Sequence, residues 1–416
     1  MKNGKKDKII NDPIYGFVKL DKGIITDLID HPYFQRLRKI SQLGLSYLVY
    51  PGAHHSRFHH AIGCIFLMNK AINQIRNKGH EITNAEAESL KIAILLHDIG
   101  HGPFSHALEN SIASNISHEH LSFLFMKRLN EQFNGKLSLS IQIFQNNHPK
   151  KFLHQLVSSQ LDVDRLDYLK RDSFFSGVTE GNIGTDRIIN MLDVVNDNLV
   201  VEEKGIYSIE KFLIARRLMY WQVYLHKTVV SSENMLIKVL QRAKELINNN
   251  QKIYASSSLA LFLNNNYTLA DFDTKPQLLN AFAELDDFDI YTSLKCWKNN
   301  SDFILSSLSE MILNRKLLKI KVQNTKFSTT EIDIKRKKIQ EHFNISEKEA
   351  KYFVFSNKVS NSTYNIEKAN INILMKNGSI IDITSASDQF NIDALNKTIN
   401  KYFLCYPKLK ESLPLR

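Results

Sequence analysis

TNAEAESLKIAILLHDIGHGPFSH, residues 83–106, decides how the chain is read. Thr83 and Glu86 have the Thr-x-x-Glu spacing of a capping box, in which two side chains satisfy the free N–H groups of a helix start. The helix that begins there runs through LKIAILL and is punctuated at Gly100. Its second half is apolar on every side, which places it in the middle of a core. His97 and Asp98 at its end then need an explanation, because an imidazole and a carboxylate buried without partners are costly. A bound cation removes that cost. So does a plain His–Asp ion pair or a partly exposed helix end.

Working outward, Gly100, Gly102 and Pro103 break the helix, so a tight turn can bring His101 and His106 back toward the same pocket. His60, in RFHHAIG (57–63), supplies a neutral nitrogen from a second helix. Asp164, in LDVDRLDYLKRD (161–172), supplies an oxygen from a third. His60, His97, Asp98 and Asp164 form a mixed N/O set that suits a divalent ion: Mn, Fe, Co, Ni or Zn, or Mg when phosphate oxygens complete the shell. Ligand type does not choose among them. Four protein ligands leave an octahedral ion open to water and substrate, as a catalytic site requires. Arg165 and Arg171 flank Tyr168 within about two helical turns, a grouping suited to phosphate. The same pattern fits an amphipathic helix whose arginines pair with Asp162, Asp167 and Asp172.

The rest of the chain frames this centre. Its 416 residues exceed what one core usually serves, and 43% hydrophobic with 23% charged residues excludes the disordered, collagenous and membrane classes. From residue 20 to 245 apolar residues recur at helical spacing with few strand-like alternations, so this half reads as all-α. The Asn- and Ser-rich NNNQKIYASSS (248–258) suggests a division near 250. Further on, Asn377-Gly378 stands between β-prone runs, and since both residues tolerate positive φ a hairpin is expected there. The expected fold is mostly α, with an all-α domain over residues 1–250 and a smaller C-terminal α+β domain over 251–416.

A formal net charge of +11 favours polyanionic partners such as nucleotides, nucleic acid or an acidic membrane surface. The excess is dispersed, only Lys2, Lys5, Lys6 and Lys8 forming a run, and a protein with solvated lysines fits equally. Cys64, Cys296 and Cys405 form no CxxC pair, which fits a reducing cytoplasm. No secretory signal is expected from the N-terminus, and apolar runs such as Ile92 to Leu96 are too short to span a membrane.

With these residues in order, the sequence resembles the HD-domain phosphohydrolases, and among them the deoxynucleoside triphosphate (dNTP) triphosphohydrolases, including the vertebrate type that joins a sterile alpha motif to an HD domain. The likeness runs through DPIYGFVKL, DHPYFQRLRKISQLG, YPGAHHSRFHHAIG, LLHDIGHGPFSH, SHEH and LDVDRLDYLKRD, over roughly the first 175 residues. It implies that His60, His97, Asp98 and Asp164 hold the metal, and that His101, His106 and His118 line the reacting phosphate. Arg57, Arg165 and Tyr168 match contacts to the triphosphate, and Gln42 and Asp172 match contacts to the sugar 3′-hydroxyl. Arg165 stands where the vertebrate type has lysine, which keeps the charge and changes its geometry. Asp30, Gln35 and Arg38 match positions that hold a regulatory nucleotide, although HPYFQRLR fits plain helix packing equally.

The resemblance implies hydrolysis of dNTPs to deoxynucleoside and triphosphate, His106 protonating the departing 5′-oxygen, and a homo-oligomer. Two rival readings use the same residues: a phosphodiesterase or nuclease acting on another phosphate ester, and a nucleotide-binding regulatory protein. The complete ligand set with its accessory histidines argues against a purely binding role.

Overall fold

The computed structural model describes residues 8–104, 116–361, 364, 370–387 and 398–408. A hairpin of β1 (Lys8–Asp12) and β2 (Gly16–Leu20) leads into α1 (Arg57–Asn77), α2 (Asn84–Leu96), α3 (His118–Gln132) and α4 (Val163–Ser176). The capping box forms as read, Glu86 N donating to Thr83 Oγ1 at 3.2 Å and Thr83 N to Glu86 Oε2 at 2.7 Å. α2 is apolar all round for a specific reason. Ile92, Leu95 and Leu96 enter one hydrophobic core, while Leu90, Ala93 and Ile94 enter a second. α1 divides the same way, with Phe58, Ala61 and Ile62 on the first core and Cys64, Leu67 and Met68 on the second. The two helices therefore form a seam between the cores.

The fold is mostly α with small sheets. Two hairpins, β1–β2 and a second one, lie inside the domain expected to be all-α, which corrects that detail. β3 (Leu192–Val195) and β4 (Asn198–Glu202) form a hairpin whose two-residue turn, Asn196–Asp197, has φ of 51° and 59°. Asparagine and aspartate tolerate this left-handed conformation better than other residues with a Cβ, so the turn chemistry was present in DVVNDNLVVE.

The Asn377-Gly378 hairpin also forms, but differently from the expectation. Between Asn372–Leu374 (β7) and Ile380–Asp382 (β8), only Gly378 is left-handed, at φ 83°, while Asn377 Oδ1 accepts from Ser379 N at 3.0 Å. β7 then pairs in parallel with β4, giving one sheet in the order β3-β4-β7-β8. A second sheet joins β5 (Lys319–Gln323), β9 (Ile399–Tyr406) and β6 (Phe355–Asn361) in the order β5-β9-β6.

Four further helices bear on the site: α5 (Ile206–Met219), α6 (Lys227–Asn248), α7 (Asp287–Trp297) and α8 (Phe303–Leu313). Coil at residues 251–256 falls where the sequence suggests a division. Packing nevertheless runs across it, because the first core gathers Leu95 and Leu96 of α2, Leu240 of α6, Leu308 of α8 and Phe403 of β9. No described helix is long and apolar enough to cross a membrane.

Leu240→Ala and Leu308→Ala, both fully buried in the first core, should each lower stability by about 2–5 kcal/mol and shift one shared unfolding transition in urea. Two transitions, each moved by only one variant, would show that the halves fold independently.

Candidate active site

Four ion-binding candidates converge at the seam. Ser56 precedes α1, its backbone N–H donating to His59 Nδ1 at 3.2 Å, and His60 follows one turn into the helix. His60 Nε2 lies 3.1 Å from Asp164 Oδ1 and 3.8 Å from Asp98 Oδ2. His97 Nε2 lies 3.5 Å from both Asp98 Oδ1 and Asp164 Oδ1. Such spacings suit donors sharing one ion at about 2.0–2.2 Å. His97 Nδ1 is 2.6 Å from the Ile94 carbonyl, so it carries the proton, and Nε2 of the neutral ring is a lone pair. That Nε2 is buried without a hydrogen-bond partner.

A lone pair facing two carboxylates is repulsive unless positive charge lies between them. The ionisation balance says the same. Burial alone would lower both imidazoles, yet His97 is raised by Asp98 and Asp164, and His60 by Cys64 and its hydrogen bonds to Asp164 and Asp167. Burial likewise works against the Asp164 carboxylate, but His60 and His97 hold it well below the usual range. A cluster that draws in protons this way draws in a metal ion by the same field, and His60, His97, Asp98 and Asp164 fit one. Cys64, set aside in the sequence for want of a CxxC partner, also reaches the cluster. Its Sγ is 3.6 Å from both His60 ring nitrogens, and burial pushes its thiol up.

Behind His60 runs a buried chain of charges. His60 Nδ1 is 2.8 Å from Asp167 Oδ2; Arg171 donates to Asp167 through Nε at 2.8 Å and Nη2 at 3.0 Å; Arg171 Nη1 donates to Asp12 at 2.8 Å. Arg171 is thus committed to Asp167 and Asp12 and fully buried, which corrects its place in the phosphate grouping. Gly63 makes the approach possible, since a Cβ there would stand 2.0 Å from Asp167 Oδ1 and 2.2 Å from Arg171 Nη2. Partners of this kind fix the ring and tautomer of a metal-binding histidine.

The cluster opens into a cavity of about 570 Å³, within the range for small-molecule sites. Gln42, Arg57, Arg165, Tyr168 and Asp172 line it, as do His101 and His118. Arg57 pairs with Asp98, and Arg165 with Asp162, its Nε buried without a partner. Gln42 Oε1 is likewise buried and unpartnered. Asp172 interacts with His55 Nε2 at 2.7 Å and accepts from Tyr224 at 2.8 Å. The His101 ring stacks on His118 at 3.8 Å, and its Nε2 is 3.3 Å from Asp98. Burial, then Arg57, holds His101 well below its ordinary pKa.

His106 lies outside the described residues. Asp30, Gln35 and Arg38 do not line this cavity: Asp30 pairs with Lys8, Gln35 Nε2 donates to the Ile29 carbonyl at 2.6 Å, and Arg38 Nε to Gln35 Oε1 at 2.9 Å. The sequence reading missed His55, Tyr220, Tyr224 and Glu233. The tyrosines belong to a π-helical turn, Tyr220–Tyr224, a distortion frequent at functional sites. Their i, i+4 spacing reads in a sequence as an ordinary core stripe.

Residues 57–172 match the HD domain family and residues 183–262 the HD associated region. The crystal structure of a phosphohydrolase from Bacteroides thetaiotaomicron is 51% identical, with a TM-score of 0.94, covering 97% of this chain and 100% of that one. An uncharacterised protein of Bacillus subtilis is 30% identical over 424 residues, covering 98% of this chain and 94% of the relative. A deoxynucleoside triphosphate triphosphohydrolase of Dictyostelium discoideum, a SAMHD1 homologue, is 33% identical over 262 residues, which cover 58% of this chain and 51% of that protein. The match thus spans only about half the length of that triphosphohydrolase.

Asp167→Asn should weaken ion binding about 10–100-fold, the usual consequence of losing a histidine's supporting partner, as read by metal titration. It should also change the acid limb of stability. Burial opposes the Asp167 carboxylate, but Arg171 and His60 hold it at about 2. Its stabilisation is therefore fully present above the unfolded value of about 3.9 and lost as pH falls through the folded one. Thermal unfolding of the variant should be lower at neutral pH and flatter toward acid; an unchanged acid limb would remove Asp167 from this role.

Proposed function

Because the chain belongs to the HD-domain phosphohydrolases, we propose that it hydrolyses deoxynucleoside triphosphates to deoxynucleoside and triphosphate, with a divalent ion held by His60, His97, Asp98 and Asp164. The observation that carries this reading is the buried, unpartnered His97 Nε2 facing two carboxylates at the edge of a cavity that also contains two arginines. An ion in that place would supply Lewis-acid stabilisation of charge on the phosphoryl oxygens.

The remaining work falls to side chains. Arg57 and Arg165 bring guanidinium forks to the cavity wall, where they can neutralise triphosphate oxygens, and Arg165 Nε has no other partner to give up. Tyr168, its phenol kept protonated by burial, adds a hydroxyl donor. Gln42 Oε1 is an acceptor in want of a donor, and beside the Asp172 carboxylate, which His55 and Tyr224 fix in place, it suits a sugar 3′-hydroxyl. His101 is held neutral at pH 7, so it offers a hydrogen bond before it offers a proton. The proton for the departing 5′-oxygen is assigned to His106, with His118 and His101 next in line.

Incubating the metal-loaded protein with each dNTP and NTP and separating the products tests the proposal. Triphosphate and nucleoside should appear. Pyrophosphate or single phosphate as the product would overturn triphosphate release, and cleavage only of phosphodiesters would replace the reading with the nuclease or phosphodiesterase one. Asp98→Ala should lose metal and activity together, since it removes one anionic ligand. Arg165→Ala and Tyr168→Ala should keep the metal while lowering turnover or raising KM.

His106→Ala should lower kcat by about 10²–10⁴-fold at unchanged metal content, the range for a lost general acid. A substrate with a better leaving group at the 5′ position should recover much of that loss. An equal defect on both substrates would move the proton donor to another histidine.

A further inference from the structure

Glu233 is half-buried at the border of the inward face of α6, one turn from the buried Val229, Val230 and Leu236. A carboxyl on such a face is costly unless something pairs with it. Among the described residues Glu233 has no hydrogen-bond or ion-pair partner. It borders the catalytic cavity, which Leu43, Gly44, Phe104 and Leu225 also line. A Cβ built on Gly44 would be 3.6 Å from Glu233 Oε1 and 3.8 Å from the Phe104 carbonyl, so the carboxyl lies against the open backbone of Gly44 in a cavity that Leu43, Phe104 and Leu225 also line.

We propose that Glu233 is the base-reading residue of this cavity, offering one hydrogen-bond donor and one acceptor to an edge of the nucleobase that carries an acceptor beside a donor. The inference rests on reading the cavity as a deoxynucleotide site. On that reading the ion cluster, Arg57 and Arg165 serve the triphosphate, and Gln42 and Asp172 serve the sugar. Glu233 is then the cavity carboxyl still lacking a partner, Glu119 having His118 at 3.5 Å. Burial alone pushes the Glu233 carboxyl up to about 8, so at neutral pH it is chiefly the acid, with an O–H to donate and a C=O to accept. The apolar neighbours suit the face of a heterocycle, and the two-point contact suits its edge. A site built to hydrogen-bond its substrate rejects an isostere that leaves the buried group unpaired.

The test compares each enzyme's preferred dNTP with the triphosphate of benzimidazole deoxyriboside, whose base stacks but lacks the paired edge groups. Wild type should favour the natural substrate by about tenfold or more in kcat/KM, as two hydrogen bonds allow. Glu233→Leu should bring that ratio close to one at unchanged metal content, with the loss on the natural substrate. Glu233→Gln, which keeps one donor and one acceptor, should retain the preference. Unchanged discrimination in Glu233→Leu overturns the proposal, and so does a Gln variant that fails together with Leu, because the ionised carboxylate would then be the form in use. Ligand-observed NMR on the corresponding deoxynucleosides makes the same comparison without hydrolysis. If no dNTP yields triphosphate but the deoxynucleoside preference vanishes in Glu233→Leu, the reaction is wrong and the base reading stands. Equal binding of both nucleosides by wild type ends it.

Discussion

Everything at this centre depends on one electrostatic constraint: Asp98 and Asp164 face a buried imidazole nitrogen that has nothing to bond to. Removing two carboxylates from water is unfavourable unless cationic groups or hydrogen bonds compensate. Arg57 compensates Asp98 in part, and the carboxylates draw protons onto His60 and His97, which in turn keep Asp164 ionised. A divalent ion satisfies the same field with one species and leaves both imidazoles neutral. The raised histidines also mean that protons compete with the ion, so affinity must weaken toward acid.

Such a constraint can be met only if the donors arrive from rigid elements at the right spacing. α1 and α2 lie on the seam between two cores, each buried on more than one side. Their ends cannot drift without opening a cavity in one core or the other. α4 is tied to α1 by the Asp167–Arg171 pair pressed against Gly63. The His60 ring is thereby oriented from behind by the same helix that presents Asp164 in front. Replacing His60 on its own could not relocate the site, because its position belongs to three helices at once.

What the sequence disclosed follows from where periodicity and residue chemistry agree. The capped apolar helix ending in His-Asp was legible because its pattern demanded burial and its last residues resisted it. His60 and Asp164 were legible by their place in ordered motifs. Arg171 was misplaced because an amphipathic pattern gives the face of a helix without saying what stands opposite, and Asp12 comes from a hairpin some 159 residues away in the chain. Tyr224, His55 and Glu233 were hidden for a related reason. Their types are common in cores and on surfaces, and only the closed cavity distinguishes them. The β3–β4 turn, by contrast, was overlooked although its Asn-Asp pair was a usable signal.

The second half of the chain is bound into the site by backbone as well as by packing. Asp287, at the start of α7, is buried and accepts from Ser41 N at 2.8 Å and from Phe104 N at 2.9 Å. Ser41 immediately precedes Gln42, and Phe104, at φ 52°, closes the turn that follows His101. Arg36 holds that same turn from the other side, donating to the Ile99 and His101 carbonyls at 2.9 and 2.5 Å. The cavity wall between Gln42 and the histidines is thus clamped by one acidic and one basic side chain, and the acidic one lies beyond residue 250. A boundary drawn from composition at that point marks a pause in helix content. The Asp287 contacts to Ser41 and Phe104 run across it and hold the cavity wall.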